Sequence, residues 1–340
     1  MVKKLLKPPM AAGILFIWLI QPLFVSADIS TRSDVLDFIQ DMNKKYDFAV
    51  DDLVKVFSKV DINQKIIDAI SRPAEAKPWY QYRPIFITDK RINGGVEFWK
   101  KHDATLSRAY QTYGVNPEII VAIIGVESFY GKHKGRFPVI ESLSTLAFNY
   151  PKRGRFFKSE LEQFLLLARE EKLDPLEILG SYAGAMGKSQ FISSSFRSYA
   201  VDFDDDGKRD LWEDSDDVIG SVANYFAKHD WRKDQPIASK ATVKGKKYKS
   251  VVEKGIRPNT ELGDLLKLGV SIADDGFPKN EKAALIELEL QNGLEHWVGM
   301  DNFYVITRYN HSELYAMAVY QLSKAIKEKR EIAVAASKEK

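Results

Sequence analysis

The segment PEIIVAIIGVES, residues 117–128, is the most informative stretch of this sequence. Asn116 precedes Pro117, and an N-cap residue before a proline is a good helix start because the first turn does not need the missing N–H. The segment is apolar on every side, which is typical of a buried helix. It therefore predicts a buried helix from Pro117 to Tyr130 with one acidic side chain, Glu127, in its last turn.

Glu127 is the candidate general acid. At helical spacing it shares a face with Ile120 and Ile124, so its carboxyl group projects from an apolar wall. Loss of water disfavours a charged carboxylate, which is the environment that proton donors use. Burial alone leaves a structural role open, in which Glu127 pairs with an arginine such as Arg136 or Arg153.

Helix signals dominate the sequence around this segment, because apolar residues recur at helical spacing between glycines and prolines. Short amphipathic helices are predicted within residues 28–70, and a last helix from Ser312 to Lys327 with a frayed tail. The other predicted helices are Val96 to Tyr113, Pro117 to Tyr130, Phe156 to Glu171, Pro175 to Tyr182 and Val218 to His229.

Two segments depart from the helical pattern. Residues 71–84 concentrate prolines and aromatics, which predicts an extended arm lying across a surface. After Trp231, Lys-rich turns and alternating apolar runs predict a small antiparallel sheet. Its predicted strands are Leu285 to Leu290, His296 to Val298 and Phe303 to Ile306. The predicted fold is mainly α, with a small β subdomain inserted before the C-terminal helix.

The amino terminus has the three parts of a secretory signal. Lys3, Lys4 and Lys7 precede an apolar run over residues 10–25, which ends in the small residues Ser26 and Ala27. The run is shorter than the roughly 20 residues that span a bilayer. We expect cleavage after Ala27, with an uncleaved anchor as the alternative, and a periplasmic location in either case.

Composition excludes several classes of protein. The chain has 50 Lys+Arg against 47 Asp+Glu, and the three lysines of the signal account for the difference. A balanced mature chain gives no support for nucleic-acid binding. Cysteine is absent, which excludes disulfides, thiolate metal sites, cysteine nucleophiles and a lipid-bearing cysteine after the signal.

Short motifs follow one another in the order of a known enzyme family. They are YGV (113–115), PEII (117–120), IGVES (124–128), LAFNYP (146–151), GSYAGAMG (180–187), QF (190–191), GSVANYF (220–226), RYNHS (308–312) and Tyr315. The chain resembles the lytic transglycosylases of the membrane-bound B type, relatives of goose-type lysozyme, from about Trp79 to Leu322. The resemblance implies a lysozyme-like catalytic core.

The resemblance also implies roles for individual residues. Glu127 would be the catalytic acid, and Ser181 and Asn310 the polar groups beside the reacting sugar. Gln190 and Tyr315 would be their neighbours. The residues expected to contact the glycan through aromatic rings are Tyr82, Tyr225 and Tyr309, each of which has an alternative role in core packing.

The implied substrate is the MurNAc–GlcNAc β-1,4 bond of peptidoglycan. Most glycosidases use two carboxylates, but no second carboxylate stands out in the motifs that match the active site. If the C6 hydroxyl of muramic acid is the nucleophile, Glu127 can act as both acid and base and the product is 1,6-anhydro-MurNAc. The alternatives are a lysozyme-like hydrolase and an inactive calcium-dependent peptidoglycan-binding protein.

Residues 202–213 match the EF-hand calcium pattern, with carboxylates at alternate positions before Gly207. The EF-hand rule selects Glu213 as the last ligand. The resemblance implies a longer loop closed just before the next helix, for which we prefer Asp217 while Asp216 stays open. The predicted ligands are Asp202, Asp204, Asp206, the carbonyl of Lys208 and Asp217. A solvated acidic turn is the alternative to a calcium site with a structural role.

These expectations divide the chain into regions. They are a signal (1–27), N-terminal helices and the arm (28–92), the catalytic core with the calcium loop (93–231), the β subdomain (232–306) and a C-terminal helix that completes the active site (307–340). We expect a monomer that acts on glycan strands beside other cell-wall enzymes. In the segment Gly187-Lys188-Ser189-Gln190 a lysine and a serine replace an aromatic and a glycine of the family pattern, which predicts an altered sugar subsite.

Overall fold

A computed structural model describes residues 28–72, 77–273 and 277–338 of the chain. The predicted secretion signal lies outside these residues. Within them, no helix combines the length and the hydrophobicity that crossing a bilayer requires.

Helices account for most of the described chain. They are α1 (Ser33–Tyr46), α2 (Val50–Phe57), α3 (Gln64–Ile70), α4 (Trp79–Phe86), α5 (Asp89–Lys101), α6 (Asp103–Tyr113), α7 (Pro117–Ser128), α8 (Val139–Asn149), α9 (Gly154–Glu170), α10 (Ser193–Tyr199), α11 (Ser215–Lys228), α12 (Lys249–Val252), α13 (Leu262–Lys267), α14 (Asp301–Tyr309) and α15 (Glu313–Lys338). The predicted mainly α fold is confirmed.

The strands form two antiparallel sheets. They are β1 (Phe137–Pro138), β2 (Leu179–Gly180), β3 (Ala238–Val243), β4 (Thr260–Glu261), β5 (Val270–Ile272), β6 (Lys282–Glu289) and β7 (Leu294–Gly299). β1 pairs with β2 and contacts α8, and the larger sheet has the order β4-β6-β7-β3-β5. The larger sheet lies between α11 and α14 in the sequence, so the small β subdomain is inserted before the C-terminal helices, as predicted.

The larger sheet has two apolar faces. Leu285 on β6 packs into a separate cluster with Tyr248, Leu262 and Val298, whereas the next residue, Ile286, packs into the main core. Successive strand residues point to opposite faces, so one strand can serve both cores. This arrangement fixes the β subdomain against the helices.

Helix α7 lies at the centre of the main core. Residues 119–126 are all buried, and the helix contacts α5, α6, α11 and α15. Its apolar sequence requires neighbours on every side, and each buried isoleucine contributes roughly 1.5–3 kcal/mol. The helix therefore holds Glu127, in its last turn, at the boundary between the core and solvent.

The chain turns sharply at the end of α7. Phe129 and Tyr130 both have positive φ, 52° and 59°. The Tyr130 hydroxyl donates to the carbonyl of Arg91 at 2.8 Å. A Cβ on Gly125 would lie 2.6 Å from that hydroxyl oxygen, and one on Gly95 would lie 2.7 Å from it. The ring of Tyr130 thus occupies space that only glycines leave open.

Three predicted elements differ in the structure. The predicted arm contains helix α4, which buries Trp79 and Tyr82 even though it includes Pro84. Residues 175–182 form turns and the short strand β2 instead of a helix. Residues 303–306 belong to helix α14 and not to a strand.

Boundaries also differ. The predicted helix from Val96 to Tyr113 is two helices, α5 and α6, separated at His102. Helix α15 continues to Lys338, well beyond the predicted end at Lys327. Helix α8 was not predicted, although its residues 139–146 are buried except for Glu141.

Candidate active site

Glu127 receives a hydrogen bond from Tyr315. The Tyr315 hydroxyl donates to Glu127 Oε1 at 2.5 Å, and Tyr315 lies in the first turn of α15, only 2% exposed. Helices α7 and α15 pack along each other, which brings the two residues together. Tyr315, which the sequence predicts as a neighbour of Ser181 and Asn310, therefore contacts the candidate acid directly.

The charge of Glu127 affects the pKa of two tyrosines, Tyr309 and Tyr315. Burial raises the pKa of Tyr315 well above its ordinary value of 10.0, and the nearby Glu127 charge raises it further. The pKa of Tyr309 is raised for the same two reasons, in the same order. Both hydroxyls therefore stay protonated at any physiological pH and act as permanent hydrogen-bond donors.

Ser181 organises the loop that follows β2. Its hydroxyl oxygen accepts the backbone N–H groups of Ala183 at 3.2 Å and Ala185 at 3.0 Å. Its carbonyl accepts the hydroxyl of Ser142 at 3.2 Å. Because the oxygen already accepts two hydrogen bonds, the O–H proton of Ser181 is what remains for another group.

An open groove of about 790 Å³ runs beside this region. Its walls carry aromatic rings from the four helices α9, α10, α11 and α14, with polar groups from the loop of Gln190 and from the end of α14. The lining includes Arg153, Gln190, Phe191, Tyr225, His229, Arg308, Tyr309 and Asn310. Among the described residues that line the groove, none is an aspartate or a glutamate. Tyr309 lines the groove, and the charge of Glu127 contributes to the raised pKa of its hydroxyl.

Four of the predicted substrate residues line the groove. They are Gln190, Asn310, Tyr225 and Tyr309. Gln190 has a positive φ of 52°, and its side-chain amide donates to the carbonyl of Gly187 at 2.8 Å. This leaves the amide oxygen of Gln190 as its free acceptor.

The three predicted aromatic contacts are not equally accessible. Tyr225 is 6% exposed, and its hydroxyl donates to the carbonyl of Arg308 at 2.6 Å. The Tyr309 hydroxyl donates to the carbonyl of Ser189 at 2.7 Å. Tyr82 is 1% exposed and packs against Trp79, so its ring has the packing role that the sequence left open.

Several groove residues were not predicted. His229 stacks on Tyr225 with ring centroids 4.1 Å apart, and Phe191 contacts the rings of Tyr225 and Tyr309. Arg153 lies over the ring of Phe156 at 4.4 Å. Their signal in the sequence was position alone, since all stand within or beside the family motifs.

Asp202, Asp204 and Asp217 form a cluster whose carboxylate oxygens lie within 4.8 Å of one another. Asp217 is 1% exposed, and burial raises its pKa to about 6. Its oxygens accept the N–H groups of Phe203 at 2.6 Å and Asp210 at 2.7 Å. A buried carboxylate beside two others is costly to ionise without a cation, so this donor set fits a hard metal ion.

The other acids of the loop have different hydrogen-bond or ion-pair partners. The Asp206 carboxylate accepts the N–H of Lys208 at 2.9 Å. Asp216 accepts the Thr105 hydroxyl at 2.8 Å, and the exposed Glu213 forms an ion pair with Lys134. Glu213 and Asp216 are thus outside the carboxylate cluster, and Asp217 is inside it.

Lys188 connects the acidic loop before α11 to helix α7. Its Nζ donates to the carbonyl of Glu213 at 2.5 Å and to the Ser215 hydroxyl at 3.1 Å. Its own carbonyl accepts the hydroxyl of Ser128 at 2.6 Å. Ser128 follows Glu127 directly, so the Lys188 side chain supports the loop and does not line the groove.

Comparisons with known proteins agree with this geometry. The family model described as Transglycosylase SLT domain matches residues 30–324. The chain is 40% identical over 312 residues to membrane-bound lytic murein transglycosylase B of Escherichia coli (strain K12), which covers 89% of this chain and 85% of that protein.

Three crystal structures are similar throughout. Catenated lytic transglycosylase SltB1 from Pseudomonas aeruginosa has a TM-score of 0.84 at 49% identity, covering 89% of this chain and all of that one. Escherichia coli Slt35 in complex with calcium has a TM-score of 0.80 at 39% identity, covering 89% and 95%. SltB3 from Pseudomonas aeruginosa in complex with NAG-anhNAM-pentapeptide has a TM-score of 0.76 at 30% identity, covering 86% and 79%.

The match extends over the catalytic helix, the groove and the acidic loop, at identities that establish common function as well as common fold. The chain therefore belongs to the transglycosylase SLT domain family, and it is a lytic murein transglycosylase, an enzyme that acts on peptidoglycan.

Proposed function

We propose that the enzyme cleaves the MurNAc–GlcNAc β-1,4 bond with Glu127 as its only acid and base, and that the product is 1,6-anhydro-MurNAc. The observation that carries the proposal is the Glu127 carboxylate, hydrogen-bonded by Tyr315 and close to Tyr309 of a groove whose described lining has no aspartate or glutamate. A two-carboxylate mechanism needs a partner across the scissile bond. A mechanism in which the substrate supplies the nucleophile does not.

The steps balance without water. Protonated Glu127 gives its proton to the glycosidic oxygen, the bond from C1 to that oxygen breaks, and the GlcNAc hydroxyl leaves. The acetamido group of the substrate stabilises the oxocarbenium-like centre at C1. Ionised Glu127 then takes the proton of the C6 hydroxyl, whose oxygen bonds to C1. Glu127 is protonated again at the end of the cycle.

The neighbouring residues position these groups. Tyr315 donates to Oε1 of Glu127 and would orient this carboxyl group for the proton transfers. Ser181 offers its O–H proton, and Gln190 and Asn310 offer polar groups to the sugar. Tyr309 and Tyr225 provide the aromatic wall on which a sugar ring packs. The SltB3 complex with an anhydro-muropeptide supports a ligand of this class.

We also propose a calcium ion with a structural role. Asp202, Asp204 and Asp217 would hold it, with further oxygens from Asp206 and the carbonyl of Lys208. The Slt35 complex with calcium supports this choice of metal. The ion would neutralise the buried Asp217 and tie the loop to the start of α11, so it would stabilise the fold by mass action.

We also propose that the enzyme is exported. A signal over residues 1–27 would bring the enzyme to its substrate in the periplasm, and the name of the Escherichia coli relative places that protein at a membrane. We expect the enzyme to act there as a monomer.

Mass spectrometry of the products from purified sacculi tests the reaction. We expect muropeptides lighter by one water molecule than hydrolysis products, and none from the Glu127→Gln variant, whose melting temperature serves as the folding control. Products with reducing ends would identify a lysozyme-like hydrolase. A Glu127→Gln protein that keeps the wild-type rate would overturn the role of Glu127.

A further inference from the structure

A second cavity adjoins the groove. Its volume is about 460 Å³, and it lies where the end of α11 and one face of α14 meet the β subdomain at Arg257 and Pro258. His229 and Arg308 line both this cavity and the groove. The two spaces are therefore adjacent.

The cavity carries an excess of positive charge. Lys228, Arg257 and Arg308 line it, all three exposed. Within the described residues none of the three forms an ion pair, whereas Arg232 pairs with Asp301 at 2.6 Å. Asp230 is the one other acid of the lining. The three unpaired cations outnumber this one carboxylate, so the cavity attracts a small anionic group.

The substrate itself provides such an anion. In peptidoglycan a peptide is joined through its amino end to the lactyl group of MurNAc, so its C-terminal carboxylate is free. Five residues reach roughly 17 Å when extended, and the cavity and the groove share His229 and Arg308 in their linings. Arginine is well suited to a carboxylate because its planar fork binds both oxygens.

We propose that this cavity, defined by Lys228, Arg257 and Arg308, binds the carboxylates of the peptide carried by MurNAc. The enzyme then prefers strands that bear peptides over bare glycan. The inference rests on glycan cleavage in the groove, as proposed above. It assigns the cavity a role in substrate selection and none in bond cleavage.

The test compares two substrates and two variants. The variant Lys228→Gln/Arg257→Gln removes two cations that do not line the groove, and the control Lys246→Gln/Lys247→Gln removes two exposed lysines of the β subdomain outside the cavity. The substrates are solubilised glycan strands with their peptides and the same strands after an amidase has removed them. We expect kcat/KM on peptide-bearing strands to fall about fivefold to tenfold, mainly through KM.

The bare strands should be cleaved by this variant at close to the wild-type rate, and the control should resemble wild type on both substrates. An equal loss on both substrates, or no loss on either, overturns the proposal. Wild-type protein that cleaves neither substrate would instead contradict the proposed function.

Binding gives a readout that does not depend on cleavage. Calorimetry with the Glu127→Gln protein would use GlcNAc-MurNAc-pentapeptide and the same compound with its peptide carboxylates converted to amides. We expect the amide to bind about fivefold to tenfold more weakly, with a difference that shrinks as salt is added. Equal affinities would overturn the proposal even if the enzyme proved inactive.

Discussion

The hydroxyl of Tyr315 donates to Oε1 of Glu127 across 188 residues of sequence. One partner ends the buried helix α7 and the other begins the long helix α15, so the packing of these two helices sets the distance between them. Hydrogen bonds to charged groups contribute roughly 1.5–3 kcal/mol. The contact orients the carboxyl group of the proposed acid.

Tyr315→Phe removes this hydrogen bond and keeps the ring. We expect kcat to fall about 10- to 100-fold, because Glu127 loses the donor that orients it. The rate is measured on solubilised glycan strands. Tyr320→Phe is the matched control, since Tyr320 lies on the same helix and donates to the carbonyl of Ala238. A Tyr315→Phe enzyme within about twofold of wild type would show that the contact does not orient the acid.

Replacement of Ser181 should affect both the loop and the rate. Ser181→Ala leaves the N–H groups of Ala183 and Ala185 without their acceptor and removes a donor at the site. We expect kcat to fall about tenfold and the melting temperature to decrease. Ser142→Ala is the control, because Ser142 donates to the carbonyl of Ser181 and should affect the melting temperature alone. Equal effects of the two variants on kcat would argue against a role for the Ser181 hydroxyl.

Calcium should stabilise the enzyme through Asp217. We expect a chelator to lower the melting temperature of wild type and to have little effect on Asp217→Asn, which has lost the buried ligand. Glu213→Gln is the isosteric control, since Glu213 points to Lys134 and not to the cluster. It should keep the full calcium-dependent shift in differential scanning calorimetry. If Glu213→Gln lost the calcium-dependent shift and Asp217→Asn kept it, the last ligand would be Glu213, as the EF-hand rule predicts.

Buried tyrosines should make the fold sensitive to alkali. The pKa values of Tyr130, Tyr225, Tyr309 and Tyr315 are raised above 10.0, in each case chiefly by burial. Above pH 10 the unfolded chain loses these protons while the folded chain keeps them. Each tyrosine therefore lowers the free energy of unfolding by about 1.4 kcal/mol per pH unit, and below pH 10 it has no such effect.

Denaturant unfolding between pH 9 and pH 12 would measure this slope. Tyr130→Phe should show a shallower slope than wild type, whatever its stability at neutral pH, because one ionisable hydroxyl is gone. An unchanged slope would mean that Tyr130 ionises in the folded protein.

The catalytic helix was predictable because several local signals agreed. Pro117 starts it, its apolar residues continue without interruption, and the predicted end lay within two residues of Ser128. The segments that were mispredicted lack this agreement. Pro78 and Pro84 suggested an extended arm, but burial of Trp79 and Tyr82 stabilises a helix there in spite of the internal proline.

Ambiguous patterns account for the other errors. The run at residues 303–306 is too short to distinguish a strand from a buried helix by its periodicity. Pro175 suggested the start of a helix, but Asp174 accepts the N–H of Leu176 at 2.9 Å and forms a turn instead. The pairing of β2 with β1 then depends on residues about 40 positions earlier, which no local pattern reveals.

The fold class could be predicted from the sequence, whereas the site residues stay a prediction. The motifs selected Glu127 and the polar residues around it, but they did not give the direction of each side chain. Tyr82 faces the core, and the Lys188 side chain reaches the metal loop, where the sequence suggested a sugar subsite. Side-chain direction depends on neighbours from distant segments, so it became visible only in the assembled structure.

The ring of Tyr130 has a consequence for the evolution of this enzyme. Gly94, Gly95 and Gly125 surround it at distances that leave no room for a methyl group on any of them. At Gly94 and Gly125 the nearest atoms all belong to Tyr130, whereas at Gly95 a Cβ would also meet Ile326 Cδ1 at 2.5 Å. A larger residue at Gly94 or Gly125 therefore requires a smaller side chain at position 130, and Gly95 requires a change at Ile326 as well.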